Sequence, residues 1–271
     1  FTISYWVRPD EVGSDMFCIG RKAHNHARFE FGISQKQKLY IGVGQNQSER
    51  VYYNPTDESG MLNVAGLSEE AEEWLEEDTD GKWILKTDGT WYHFAVTYAG
   101  TDAGTNNMLR KIYMNGQQIW GTGVSDPSSK GNINWSDTGR EMSKGLSFGM
   151  RAVRGSGTNT SYNNGWACAL SEVAIFNTEK DADWVENVYN TNGPLRPRAR
   201  AGGNKKLDFR DQSDLVGYWK FNEGSGTTVT DHSGNGNHGT LTNDTHGDDG
   251  GAAWVDAASV PTWDSSPFSN S

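Results

Sequence analysis

Apolar and polar residues alternate from the first position: Phe1, Ile3, Tyr5 and Val7 fall on one face of an extended segment, with Thr2, Ser4 and Trp6 on the other. Arg8-Pro9 punctuates this run, because proline has no N–H to give a ladder. The same short period returns at Met16 to Ile19, Arg28 to Ile33, Leu39 to Val43, Tyr92 to Tyr98, Arg110 to Met114, Gln117 to Trp120, Leu146 to Met150 and Ala167 to Phe176. Many short strands between Gly-, Asn- and Ser-rich turns predict an all-β antiparallel sandwich. In Met114-Asn115-Gly116-Gln117, Asn-Gly stands between two strand-like runs and predicts a type I′ hairpin, whose two central residues need positive φ.

Two segments carry a helical period instead. Ser68 to Glu77 offers a capping serine, acidic residues at its start and an apolar stripe of Ala71, Trp74 and Leu75. Its six acidic residues between Glu69 and Glu77 surround the helix, as a solvated face does, instead of converging on a metal. The second segment runs from about Glu179 to Tyr189, capped by Thr178 and stopped by Gly193-Pro194, with Trp184, Val185, Val188 and Tyr189 inward. Both are expected as short peripheral helices. The stretch 195–214 then changes character, placing Arg196, Arg198, Arg200, Lys205, Lys206 and Arg210 among Gly and Pro, and reads as a basic linker. A new strand follows from Leu215 to Phe221. The predicted organisation is a sandwich body over 1–194, the linker over 195–214, and a further segment over 215–271.

Composition narrows the function classes. With 24 basic and 35 acidic residues among 271, the net charge is −11, which repels phosphate backbones and argues against nucleic acid. Aromatics at 11% argue against a disordered chain. No apolar run reaches the ~20 residues of a membrane-spanning helix. Cys18 and Cys168 allow at most one bridge, and the spacing leaves its formation open. The chain opens at Phe1 inside a strand and closes on Pro267-Phe268-Ser269-Asn270-Ser271, as expected of a window from a longer polypeptide.

Four stretches together resemble the laminin-G-like, concanavalin A-like jelly-roll domains of secreted, cell-surface and marine phage proteins. They are FTISYWVRPD (Phe1 to Asp10), WYHFAVTYAG with KIYMNGQQI (Trp91 to Gly100, Lys111 to Ile119), LSEVAIFNTEK (Leu170 to Lys180) and GYWKFNEGSGTTVTDHSGNGNHGTL (Gly217 to Leu241). In the family the segment resembling Gly217 to Leu241 comes first, whereas here it comes last. Tandem repeats, strands supplied by a neighbouring copy, or circular permutation each account for that order. All three leave a sheet edge open to another chain, so an assembly or tandem array is expected.

The resemblance also implies a structural Ca²⁺ in the loop Asp231-His232-Ser233-Gly234-Asn235-Gly236-Asn237, with Asp231, Asn235, Asn237 and Glu172 as ligands. Side-chain and carbonyl oxygens at short spacing suit a hard cation. An Asx-type turn without metal is the competing reading, and Ser171 stands where the family often has Asp. His24, His26, His232, His238 and His246 match no zinc spacing. Glycoside hydrolysis needs two carboxylates facing one groove, yet Asp126, Asp137 and Glu141 fall in expected loops and Glu172 stands alone on its strand. No nucleophile elbow, phosphate loop or dinucleotide fingerprint appears in its required context, so no enzyme is predicted. Among eleven tryptophans, Trp6, Trp91, Trp184 and Trp219 fit strand or helix interiors. Trp120, Trp135 and Trp166 lie near Gly-, Asn- and Ser-rich stretches and are the candidate sugar-stacking residues. The expectation is a non-catalytic, calcium-stabilised, glycan-binding module of an extracellular or virion surface, with a structural virion or filament subunit as the alternative.

Overall fold

The computed structural model describes residues 1–11, 16–23, 27–33, 39–44, 50–52, 74–77, 83–101, 108–121, 147–149, 151–154, 160–163, 168–193 and 207–241. In chain order the strands are β1 (Thr2–Pro9), β2 (Met16–Ala23), β3 (Ala27–Ile33), β4 (Leu39–Gly44), β5 (Arg50–Tyr52), β6 (Leu75–Glu77), β7 (Trp83–Leu85), β8 (Tyr92–Thr101), β9 (Met108–Met114) and β10 (Gln117–Gly121). They continue with β11 (Ser147–Phe148), β12 (Arg151–Arg154), β13 (Thr160–Asn163) and β14 (Cys168–Phe176); helix α1 (Ala182–Thr191) follows, then β15 (Leu215–Trp219), β16 (Thr228–Val229) and β17 (Gly239–Thr240).

Two sheets form the antiparallel sandwich expected from the strand rhythm. One has the order β10-β9-β8-β1-β14-β15, and the other runs β13-β12-β2-β3-β4-β5 with β11 beside β2. Among the described strands one pair breaks the antiparallel rule, β2 with β12. The alternation of β1 explains the core: Ile3, Tyr5 and Val7 point inward with Tyr92, Phe94, Val96, Ile112, Met114, Val173 and Trp219. From the other sheet Phe148 reaches this core, its ring 5.2 Å from that of Trp219. The hairpin is as read: Asn115 (φ 50°) and Gly116 (φ 83°) join β9 to β10 with Met114 opposite Gln117.

The outer face of the first sheet is covered too. Helix α1 lies there with Val185 and Val188 buried. Tyr189 stacks on Trp6 at 5.7 Å between centroids, and Trp6 in turn contacts His93 at 5.2 Å. Every residue of β1 is therefore buried. His93 Nε2 and Ser4 Oγ lie 2.9 Å apart beneath the helix. Complete burial pushes the His93 imidazole down to about 3, so it is neutral near pH 7.

The two helix expectations part company. Helix α1 exists, but its cap is Asp181, whose Oδ1 accepts from the Trp184 N–H at 2.8 Å, and not Thr178. In the earlier segment residues 68–73 lie outside the described residues, and Leu75–Glu77 is strand β6, paired with β7. Leu75 and Leu85 sit opposite each other and are both buried in the core. That cross-strand burial outweighs a local helical pattern, because propensity differences are only a few tenths of a kcal/mol per residue.

Of the basic stretch 195–214, residues from Leu207 onward pack on the body. Asn192 brackets Leu207 with its side-chain amide, donating from Nδ2 to the Leu207 carbonyl (2.9 Å) and accepting the Leu207 N–H at Oδ1 (3.1 Å). A 3₁₀ turn, Phe209–Asp211, buries Phe209 among Phe176, Trp184 and Tyr218 at centroid distances of 5.5, 5.8 and 5.1 Å. Lys180 reaches across to Gln212 Oε1 and Asp214 Oδ2, each at 2.8 Å, while lying over the Phe176 ring. Strand β15 then pairs with β14 within this chain, Val173 opposite Trp219 and Ile175 opposite Gly217.

Candidate functional site

The loop after β15 gathers a cluster of polar side chains around one carboxylate. Its ends are held by the β16–β17 pair, Val229 opposite Gly239. Asp231, only 5% exposed, is its hub. Oδ1 accepts from the backbone N–H of Tyr218 and of Ser233, both at 2.9 Å. Oδ2 accepts from the Ser233 hydroxyl and the Asn237 N–H, both at 2.8 Å. Burial raises the Asp231 pKa, but these donors outweigh it and hold the carboxyl below its ordinary value.

The two asparagines face the same strand. Asn235 Nδ2 donates to the carbonyls of Leu215 and Val216, both at 3.0 Å, and Asn237 Nδ2 donates to Val216 at 2.9 Å. Because the partners are carbonyl acceptors, each side chain must present its NH₂. Trp219 Nε1 closes the arrangement on the Asn237 carbonyl at 2.8 Å.

Glu172 stands elsewhere. It lies at a bulge in β14, where Glu172 and Val173 together oppose Tyr5, and it takes a positive φ of 52°. Its Oε2 accepts a short hydrogen bond from the Tyr218 hydroxyl. Burial, and then the Glu172 charge, push the Tyr218 phenol well above its ordinary pKa. Asp231 and Glu172 thus meet Tyr218 at opposite ends, one at the backbone amide and one at the phenol.

This geometry does not fit Ca²⁺ as the resemblance implies it. The ion takes six to eight oxygens at about 2.3–2.6 Å. Here both Asp231 oxygens are filled by N–H and O–H donors, whose positive ends a cation would oppose. The asparagines turn NH₂ groups, not oxygens, toward the strand, and Glu172 does not join them. Among the described residues no three His, Cys, Asp or Glu side chains form a metal-sized group. His238 Nδ1 accepts from the Asp231 N–H at 3.1 Å, and His232 donates its backbone N–H to the Tyr218 carbonyl at 2.7 Å. His24, His26 and His246 lie outside the described residues, as does the side chain of Cys18.

Trp135 and Trp166 lie outside the described residues, and Trp120 is described as backbone at the edge of the first sheet. Asp126, Asp137 and Glu141 also fall outside the described residues.

Sequence reasoning missed Tyr218 and Gly217 as parts of this site. Ser233, inside the predicted loop, follows Asp231 by two residues, the spacing of the Asx-type turn that was the competing reading. Gly217 is required by Trp219: a Cβ built at Gly217 would stand 2.3 Å from a Trp219 ring carbon. The Gly-Tyr-Trp order thus seats an indole over its own strand.

No protein-family model matches the chain, and no curated protein matches it. Among solved structures it is similar to a candidate carbohydrate-binding protein from Bacteroides ovatus, at 17% identity and a TM-score of 0.47, over 88% of this chain and 51% of that one. The chain thus spans about half that protein's length. It is also similar to a heptameric SAP-like pentraxin from Limulus polyphemus, at 15% identity and TM-score 0.40, over 73% and 72% of the two chains. The binding domain of botulinum neurotoxin DC follows at 14% and 0.38, covering 93% of this chain and 52% of that one. At such identities and scores these likenesses carry no argument about ligand, and the chain is placed by its own two sheets as an antiparallel β-sandwich.

Proposed function

We propose that this chain is a non-catalytic, laminin-G-like recognition module of an extracellular or virion surface, with glycans as its ligand class. The observation that carries the reading is how the four resembling stretches assemble. Separated by up to two hundred residues in sequence, they become contiguous strands of one sheet, β10-β9-β8-β1-β14-β15. The polar groups within that frame support a binding role over catalysis. Asp214 and Asp231 are held below the ordinary carboxylate range by donors within the fold, and His93 is sealed and neutral. General acid–base work calls for a carboxyl raised toward the working pH instead. Since the first sheet is covered on both faces, ligand contacts are left to the second sheet and to the loops at the ends.

A structural subunit is the second reading, favoured by the edges: among the described strands β10 ends one sheet, and β5 and β13 end the other. Such strands are templates for another chain. The test is a glycan array probed with the labelled full chain, with sedimentation of the same sample. Retention on a chemically related subset of glycans is expected. A folded protein that binds none and instead associates with itself would overturn the glycan reading in favour of the subunit.

A further inference from the structure

We propose that the loop Asp231–Asn237 is an edge lock, which terminates the hydrogen-bond ladder at β15 with side chains and so keeps a second copy of the chain from adding a strand there. Among the described strands β15 is the last in its sheet, and its neighbour β14 takes up one set of its backbone groups. The groups the loop takes up belong to Leu215, Val216 and Tyr218. The Tyr218 N–H goes to Asp231 Oδ1, the Tyr218 carbonyl to the His232 N–H, and the Val216 carbonyl to Asn235 and Asn237 Nδ2. Only the rung between Trp219 and Asp231 is made as a strand would make it. Beyond it, carboxylate and amide groups replace the backbone.

The substitution has a physical consequence. A true strand at this position would satisfy β15 and present a fresh edge of its own. A loop that ends the ladder on side chains presents none. Gly234 (φ 89°) and Gly236 (φ 74°) curl the backbone away from the strand direction, a conformation that side chains rarely adopt. The lock also accounts for the chemistry that does not suit a cation, since a carboxylate with two N–H donors on one oxygen, and an N–H and an O–H on the other, works by hydrogen bonds alone.

The test uses the full chain as wild type, as Asp231→Ala and as the double variant Asn235→Ala/Asn237→Ala, each with millimolar Ca²⁺ and with chelator. Amide hydrogen exchange is read at Tyr218, and self-association by sedimentation. In the wild type the Tyr218 amide should be protected to the same degree as Gly217 and Trp219, with or without Ca²⁺. Asp231→Ala should speed Tyr218 exchange by about tenfold or more and produce concentration-dependent association. The double variant keeps the carboxylate hub, so it should associate while Tyr218 stays protected. Three results would overturn the proposal: wild-type protection or melting that depends on Ca²⁺, a Tyr218 amide that exchanges freely in the wild type, or a folded double variant that associates no more than the wild type.

Discussion

Replacing Gly217 by alanine tests how tightly β15 is seated, because the glycine carries nothing but the room it leaves. A Cβ there would lie 2.3 Å from one carbon of the Trp219 ring and 2.9 Å from two others. The ring cannot swing away freely. It is 7% exposed, meets Phe148 at 5.2 Å and donates from Nε1 to the Asn237 carbonyl at 2.8 Å. Overpacking of this kind costs about 1–3 kcal/mol, and loss of the indole hydrogen bond adds about 1 kcal/mol. Gly217→Ala should therefore lose about 2–4 kcal/mol, a drop of about 5–15 °C in Tm for a domain of this size. Urea and thermal unfolding followed by circular dichroism measure it, with exposed Val216→Ala as a control within about 0.5 kcal/mol of wild type. If the indole is the cause, the same methyl should cost at least about 1 kcal/mol less in a Trp219→Leu background. A Gly217→Ala protein as stable as wild type, or an equal loss in both backgrounds, would refute the packing argument.

Lys180→Met should destabilise by about 2–4 kcal/mol in denaturant titrations, since it strips the cation from Asp214 and from the faces of Phe176 and Trp184. Burial raises the Asp214 pKa, but the Lys180 and Thr178 hydrogen bonds depress it overall, so its stabilisation is present above the ordinary carboxylate value and disappears as pH falls through the lowered one. Lys180→Met should accordingly flatten the acid limb of a stability–pH curve. The His93 ring, titrating at about 3 when folded and about 6.5 when unfolded, should show no NMR titration between pH 8 and 5. Its contribution should fall by about 1.4 kcal/mol per pH unit below 6.5, a slope that His93→Gln removes. A specific protease site placed between Gly193 and Leu207 and then cut should leave two pieces that co-elute in native buffer and part in urea, because β15, Phe209 and Lys180 hold them together.

The first sheet was legible strand by strand because each strand follows period 2, and at the β9–β10 hairpin Asn and Gly stand where φ is positive. Asn115-Gly116 announced both the turn and the register of β9 with β10. The short strand Leu75–Glu77 was hidden, since three residues cannot display a period and its stabilisation comes from Leu85 across the pair. Phe209 was hidden in a run of basic residues whose composition suggests a linker, while one buried ring decides where the segment lies. At the loop, the residue types Asp, Ser and Asn pointed equally to a cation and to hydrogen bonds. What separates the two is which atoms Tyr218, Ser233 and Asn237 turn toward the carboxylate, a three-dimensional fact without a sequence signature.

Strand β1 lies in the middle of its sheet, between β8 and β14. Thr2 pairs with Phe176, so during synthesis the central strand leaves the ribosome about 170 residues before its second partner. At roughly 5–20 residues per second that is an interval of about 10–30 s. Throughout it, Phe1, Ile3, Tyr5, Trp6 and Val7 have no finished sheet to enter. Contacts of such sequence separation place the domain among slow folders. A nascent chain of this design spends its early life with its most apolar strand uncovered, and its yield in a cell depends on what shelters that strand until β14 arrives.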